Sequence, residues 1–73
     1  MPVCIFPYNP KLKSMYILPS GVVEIDFKKK GNKIETRVYH NMDKETAYKL
    51  FYSETPLVFF NQNIKNKFIV TIK

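Results

Sequence analysis

The feature that most limits what this chain can fold into is a pair of alternating segments joined at a glycine-asparagine step. In Val22–Lys28 the residues Val23, Ile25 and Phe27 fall on one side, and Glu24, Asp26 and Lys28 on the other. That period of two describes a strand with one buried and one wet face. Ile34–His40 alternates again, with Ile34, Thr36 and Val38 as the expected inner side and Glu35, Arg37 and Tyr39 as the outer. Between them Lys29-Lys30-Gly31-Asn32 reads as a hairpin loop, because Gly-Asn accepts the positive φ that tight hairpin turns demand. Such a hairpin commits the chain to an antiparallel sheet whose apolar face something else must cover.

The cover is expected from the next segment. Asp43 is a good N-cap, and Glu45 places negative charge in the first turn. A helix from about Lys44 to Ser53 then puts Ala47, Leu50 and Phe51 on a buried stripe, flanked by Tyr48 and Tyr52. Thr55-Pro56 reads as a second helix start, and a short helix to about Lys65 aligns Leu57, Phe60 and Ile64. Lys67–Lys73 alternates as a closing strand, Phe68, Val70 and Ile72 inward, Thr71 and Lys73 outward. Ahead of the hairpin, Ser14–Leu18 is a strand that ends at the turn Pro19-Ser20-Gly21. Val3–Phe6 reads as an edge strand or as an arm docked on a second subunit. The expected fold is α+β: a small antiparallel sheet with one or two short helices on one face, in the order β-β-β-α-α-β, with a further N-terminal strand as an option. Residues 1–73 form a single domain in this reading, with 1–13 as the arm or edge strand.

Size and composition restrict the remaining choices. A domain of 73 residues buries only about 60% of its unfolded surface. Cys4 is the lone cysteine and His40 the lone histidine, so neither disulfides nor a metal are expected to reinforce it. Five Tyr and six Phe argue against disorder and for a core that a second copy would help to complete, so a homo-oligomer is an expectation. The apolar runs are too short to span a bilayer, and MPVCIFPYNP has neither a basic start nor an unbroken apolar core, so it does not read as a signal peptide. A lone Cys without an export signal points to a reducing cytoplasm.

Enzyme chemistry is not expected, and no cofactor is implied. Cys4 and the serines have no histidine placed beside them, and His40 reads as a satisfied boundary residue on the side of Val38. Glu24 and Asp26 share one strand face, but Lys28 and Arg37 are expected to pair with them across the hairpin. With only two glycines the chain has no phosphate-cradling loop.

Binding is the stronger reading. The formal net charge of +6 favours polyanionic partners. Lys28, Lys29, Lys30 and Lys33 surround the hairpin tip, and Lys65, Lys67 and Lys73 form a second basic group with no acid after Glu54. Asn61, Gln62, Asn63 and Asn66 interleave with the second group; lysines neutralise phosphates and amides read base edges. Tyr39, Tyr48, Tyr52 and Phe59 are candidate stacking platforms. The candidate ligand-binding set is therefore Lys28, Lys30, Lys33, Arg37, Tyr39, Tyr48, Tyr52, Asn61, Asn63, Lys65 and Lys67. Against it stands the plainer account of a solvated hairpin tip and amides that cap a helix end.

Several of these residues also carry a resemblance. Val38-Tyr39 at a strand end, Ala47-Tyr48 in a helix, Ser53, the run Phe59-Phe60-Asn61, then Ile64-Lys65 and Phe68 are together similar to the KTSC domain. That small module occurs alone in bacteria and phages and at the C-terminus of some lysyl-tRNA synthetases. The resemblance covers about Ser14 to Ile72 and is carried mainly from Val38 onward. The family's usual glycine between the serine and the aromatic pair is missing; Glu54-Thr55-Pro56-Leu57-Val58 stands there. The resemblance implies no catalytic residues, and it implies nucleic-acid binding only by association.

Two functions stay open at this point. One is a non-catalytic binding module for RNA, DNA or a small signalling oligonucleotide, in the style of a phage-encoded sponge or inhibitor of a host system. The other is a protein–protein module that regulates a host protein through the Val3–Tyr8 arm and exposed aromatics.

Overall fold

The computed structural model describes residues 3–73. Five strands, β1 (Val3–Ile5), β2 (Leu12–Ile17), β3 (Val23–Lys29), β4 (Lys33–Tyr39) and β5 (Val70–Ile72), form one sheet in the spatial order of the chain. Every neighbouring pair is antiparallel. Two helices, α1 (Lys44–Tyr52) and α2 (Pro56–Asn63), lie between β4 and β5 in sequence. The architecture is thus the expected α+β fold, with the optional N-terminal strand present as β1 on the sheet edge.

The β3–β4 hairpin forms where the alternation places it. Val23 and Ile25 are fully buried and Phe27 nearly so. The connection is a single 3-10 turn, Lys30–Asn32, in which Gly31 (φ 72°) and Asn32 (φ 61°) both take the left-handed conformation. Such angles suit Gly and are tolerated by Asn.

The faces of β4 are the reverse of the sequence expectation. Because three residues separate the paired Lys29 and Lys33, Val23 stands opposite Tyr39, Ile25 opposite Arg37 and Phe27 opposite Glu35. Directly opposed residues share a sheet face, so Tyr39 and Arg37 are on the core side, while Ile34, Thr36 and Val38 join Glu24, Asp26 and Lys28 on the open side. Tyr39 is 3% exposed and Ile34 43%. The turn length counts the register, and one residue of slip turns over every side chain. Packing favours this outcome: Tyr39 buries a large ring edge-on against Phe60, at 6.4 Å between centroids. Thr36 meanwhile finds a polar partner on the open side, donating to Asp26 Oδ1 at 2.6 Å.

A bulge makes β2 longer than its alternation suggests. Leu12 opposes Phe27 and Ser14 opposes Asp26, which leaves Lys13 as the extra residue. Leu12 and Met15, three apart, therefore both reach the core with no exposed surface. A regular strand would have sent them to opposite faces.

The helices cover the core side. Asp43 caps α1 through the Thr46 backbone N–H at 3.1 Å. Ala47 and Leu50 are fully buried on its inner stripe. Phe51 meets Phe6 edge-to-face at 5.8 Å, and Phe60 of α2 meets Phe27 at 5.2 Å. Pro56 opens α2 as expected, but Thr55 makes no side-chain cap bond. The closing strand is short: β5 covers only Val70–Ile72, and all three are exposed at the sheet edge beyond the helices. Val70 opposes Tyr39 and Ile72 opposes Arg37, so they share the core-side face without being covered.

Candidate functional site

The sheet ends at the β3–β4 turn in a cluster of cations, and the turn geometry explains it. The 3-10 turn leaves Lys29, Lys30 and Lys33 crowded at the tip, and the Lys13 bulge brings the start of β2 alongside. The Lys28 backbone N–H donates to Lys11 O at 2.8 Å there. On the helix side, α2 ends at Asn63, and the Ile64 and Lys65 N–H groups both donate to Phe60 O at 2.9 Å. This fold-back turns Lys65 toward the same sheet end.

The result is a groove of about 690 Å³, within the range of about 300–1,000 Å³ common for small-ligand sites. Its cations are Lys11, Lys28, Lys29, Lys30, Arg37 and Lys65. Phe27, Phe60 and Leu57 supply an apolar floor, and Asn61 an amide.

The cations differ in how free they are. Arg37 lies over the Phe27 ring, its guanidinium carbon 4.3 Å from the centroid, and its Nε donates to Glu35 at 2.6 Å. That hydrogen bond holds the Glu35 carboxyl below its ordinary range. Lys29 Nζ also reaches Glu35, at 3.7 Å. Lys28 Nζ donates to the Asn9 carbonyl at 2.8 Å, with two further donors left over. Lys11, Lys30 and Lys65 form no ion pair among the described residues. Unpaired like charges around one groove repel each other, and an anion seated among them relieves that repulsion.

The fold thus brings together five of the eleven candidates: Lys28, Lys30, Arg37, Asn61 and Lys65. The other six lie elsewhere. Tyr39 is buried in the core and offers no stacking face; burial pushes its phenol up, against the opposing pull of Arg37. Tyr48 and Tyr52 stack on each other along α1, with centroids 6.5 Å apart. Asn63 donates to Phe59 O at 3.2 Å within its own helix. Lys33 and Lys67 are exposed and do not line the groove. Lys11 was invisible as a site residue because its place there comes from the β2–β3 pairing; the signal available was a lysine directly before Leu12, the fully buried first position of β2.

The carboxylates of β3 are also spoken for, though not as the sequence suggests. Arg37 is on the opposite face from both. Asp26 instead accepts from the Ser14 and Thr36 hydroxyls, at 3.2 and 2.6 Å, and Glu24 pairs with Lys73 at 3.3 Å. His40 lies on the Val38 side, which is the open side, and its Nε2 shares a hydrogen bond with Thr71 Oγ1 at 2.8 Å. Among the described residues, no helix is long and apolar enough to cross a membrane.

No family model matches the chain, and neither does any curated protein or solved structure.

Proposed function

We propose that this protein is a non-catalytic binding module for a phosphate-bearing ligand, RNA, DNA or a short oligonucleotide, held in the basic groove. The observation that carries the reading is the convergence of Lys11, Lys30 and Lys65, from three separate parts of the chain and without carboxylate partners among the described residues, on one groove with an aromatic floor. Lysine ammonium groups neutralise phosphate as point charges. Asn61 can address a base edge or sugar from the same wall. Arg37, already fixed by Glu35 and Phe27, supplies a positioned positive field. In the cytoplasm such a module would act by sequestering a nucleotide ligand or by occupying a host system, the role sketched from the sequence for a phage-encoded inhibitor.

The test is fluorescence anisotropy with labelled single-stranded RNA and DNA of about eight nucleotides across a salt series. Affinity is expected to fall linearly in log–log form with salt, as counterion release requires. Lys30→Glu with Lys65→Glu should weaken binding by on the order of tenfold or more, and Lys33→Glu with Lys67→Glu, the same charge change outside the groove, by much less. Equal loss in both variants would show that net charge, and not this groove, holds the ligand.

A protein partner is the second reading. It is favoured by the exposed apolar side chains at the two sheet edges, Val3 and Ile5 on β1 and Val70 and Ile72 on β5. Binding through those edges would be nearly indifferent to salt and to Lys30 and Lys65.

A further inference from the structure

We infer that the ligand of the basic groove is a single strand of nucleic acid that continues past the groove and stacks a base on Tyr8. The inference rests on reading the basic groove as a phosphate site, and extends it to the class of ligand.

A second groove of about 460 Å³ lies between the Pro7–Pro10 turn and the link from α1 to α2. Pro10 and Leu57 line both grooves, so the two meet at a common wall. The chemistry changes across it. The first groove carries six cations; the second is walled by Ile5, Phe51, Pro56 and Val58, and the one charged side chain in its lining among the described residues is Glu54. A phosphate is favoured on one side and disfavoured on the other. A base suits the second side, since its flat faces are apolar and its exocyclic amine can donate to a carboxylate.

Tyr8 lines this second groove and is 97% exposed. Its ring does almost nothing for the fold, yet its mount is firmly built. Asn9 N–H donates to Phe6 O at 3.3 Å, and Asn9 Oδ1 accepts from the backbone N–H groups of Lys11 and Leu12 at 2.9 and 2.8 Å. Lys28, a cation of the basic groove, grips the Asn9 carbonyl at 2.8 Å. Pro7 and Pro10 restrict φ on either side. The backbone that carries the ring is thus braced and tied directly to the phosphate side, so stacking has only the Tyr8 side chain left to order. Stacking of this kind needs an unpaired base, which excludes duplex as the ligand. A phosphate track leading to an apolar aromatic face is the arrangement that single-strand binders use.

The experiment compares a single strand of about eight nucleotides, as RNA and as DNA, with a 5′-phosphorylated dinucleotide, against wild type, Tyr8→Ala, Tyr8→Phe and the Lys30→Glu, Lys65→Glu double variant. Tyr8→Ala is expected to weaken the longer strand about tenfold and to leave the dinucleotide unchanged, with Tyr8→Phe close to wild type. A fluorescent adenine analogue in the longer strand should be quenched by wild type and by Tyr8→Phe, and not by Tyr8→Ala. If Tyr8→Ala binds and quenches like wild type while the lysine variant fails, the inference falls and the basic-groove reading stands. If the lysine variant binds like wild type, the groove reading itself fails, and the inference with it. A preference for RNA over DNA or the reverse would tell which single strand is the ligand.

Discussion

Arg37 holds its guanidinium carbon 4.3 Å above the Phe27 ring while its Nε bonds Glu35 at 2.6 Å. One side chain thereby covers the Phe27 ring of the core and fixes a guanidinium, paired with Glu35, in the lining of the basic groove. Cation–π contacts contribute about 0.5–2 kcal/mol, more as water is excluded. Arg37→Ala should destabilise the fold by on the order of 1 kcal/mol, with Arg37→Lys intermediate because it keeps charge but loses the planar face. Urea unfolding checks this, and an unchanged midpoint in Arg37→Ala would mean the contact contributes nothing.

Asp26 joins three strands by accepting from Ser14 on β2 and Thr36 on β4. Ser14 is only 2% exposed, so its hydroxyl has little access to water if the acceptor is removed. Asp26→Ala should cost about 1–3 kcal/mol, the price of a stranded buried polar group. Asp26→Asn should cost less, because one acceptor oxygen survives. A double-mutant cycle with Thr36→Val should give a coupling above about 0.5 kcal/mol; simple additivity would remove Asp26 from its bridging role.

Stability should fall on acidification in a way that Asp43 and Glu35 shape. The Thr46 hydroxyl and backbone N–H hold the Asp43 carboxyl below its ordinary range, and the hydrogen bond from Arg37 does the same for Glu35. A carboxyl lowered in the folded state contributes stability above its unfolded pKa and loses it as pH falls through the folded one. Asp43→Asn keeps an N-cap acceptor but cannot titrate, so its thermal midpoint should decline less steeply from neutral pH into the acid range. Parallel decline of the two proteins would place the acid sensitivity elsewhere.

Cys4 should resist thiol reagents in the native protein. It is 5% exposed, and burial pushes its thiol up, so little reactive thiolate is present at neutral pH. Modification by iodoacetamide should be slow in buffer and fast in urea, with the native rate reporting how often β1 opens. Labelling at the rate of a free cysteine would show that β1 is not held on the sheet in solution.

The local elements of this protein are written in the sequence by itself, and its site is not. The alternation through Val23, Ile25 and Phe27, the Gly31-Asn32 turn, the Asp43 cap and Pro56 at the start of α2 each depend on residues a few positions apart, and each appears in the fold. Lys28, Lys30 and Lys65 were legible as basic residues of the hairpin tip and the C-terminal basic group, Asn61 as an amide interleaved with the latter, and Arg37 as an outward strand residue. What the tertiary structure decided is which side they face and what they meet. The facing of β4 turned on how many residues the turn spends between Lys29 and Lys33, so Tyr39 went to the core although Val38 is the more apolar neighbour. Lys11 joined the groove through the bulged pairing of β2 with β3, and Lys65 through the fold-back at the end of α2. Register and chain return sum many weak contacts over long sequence separations, and no local period records them.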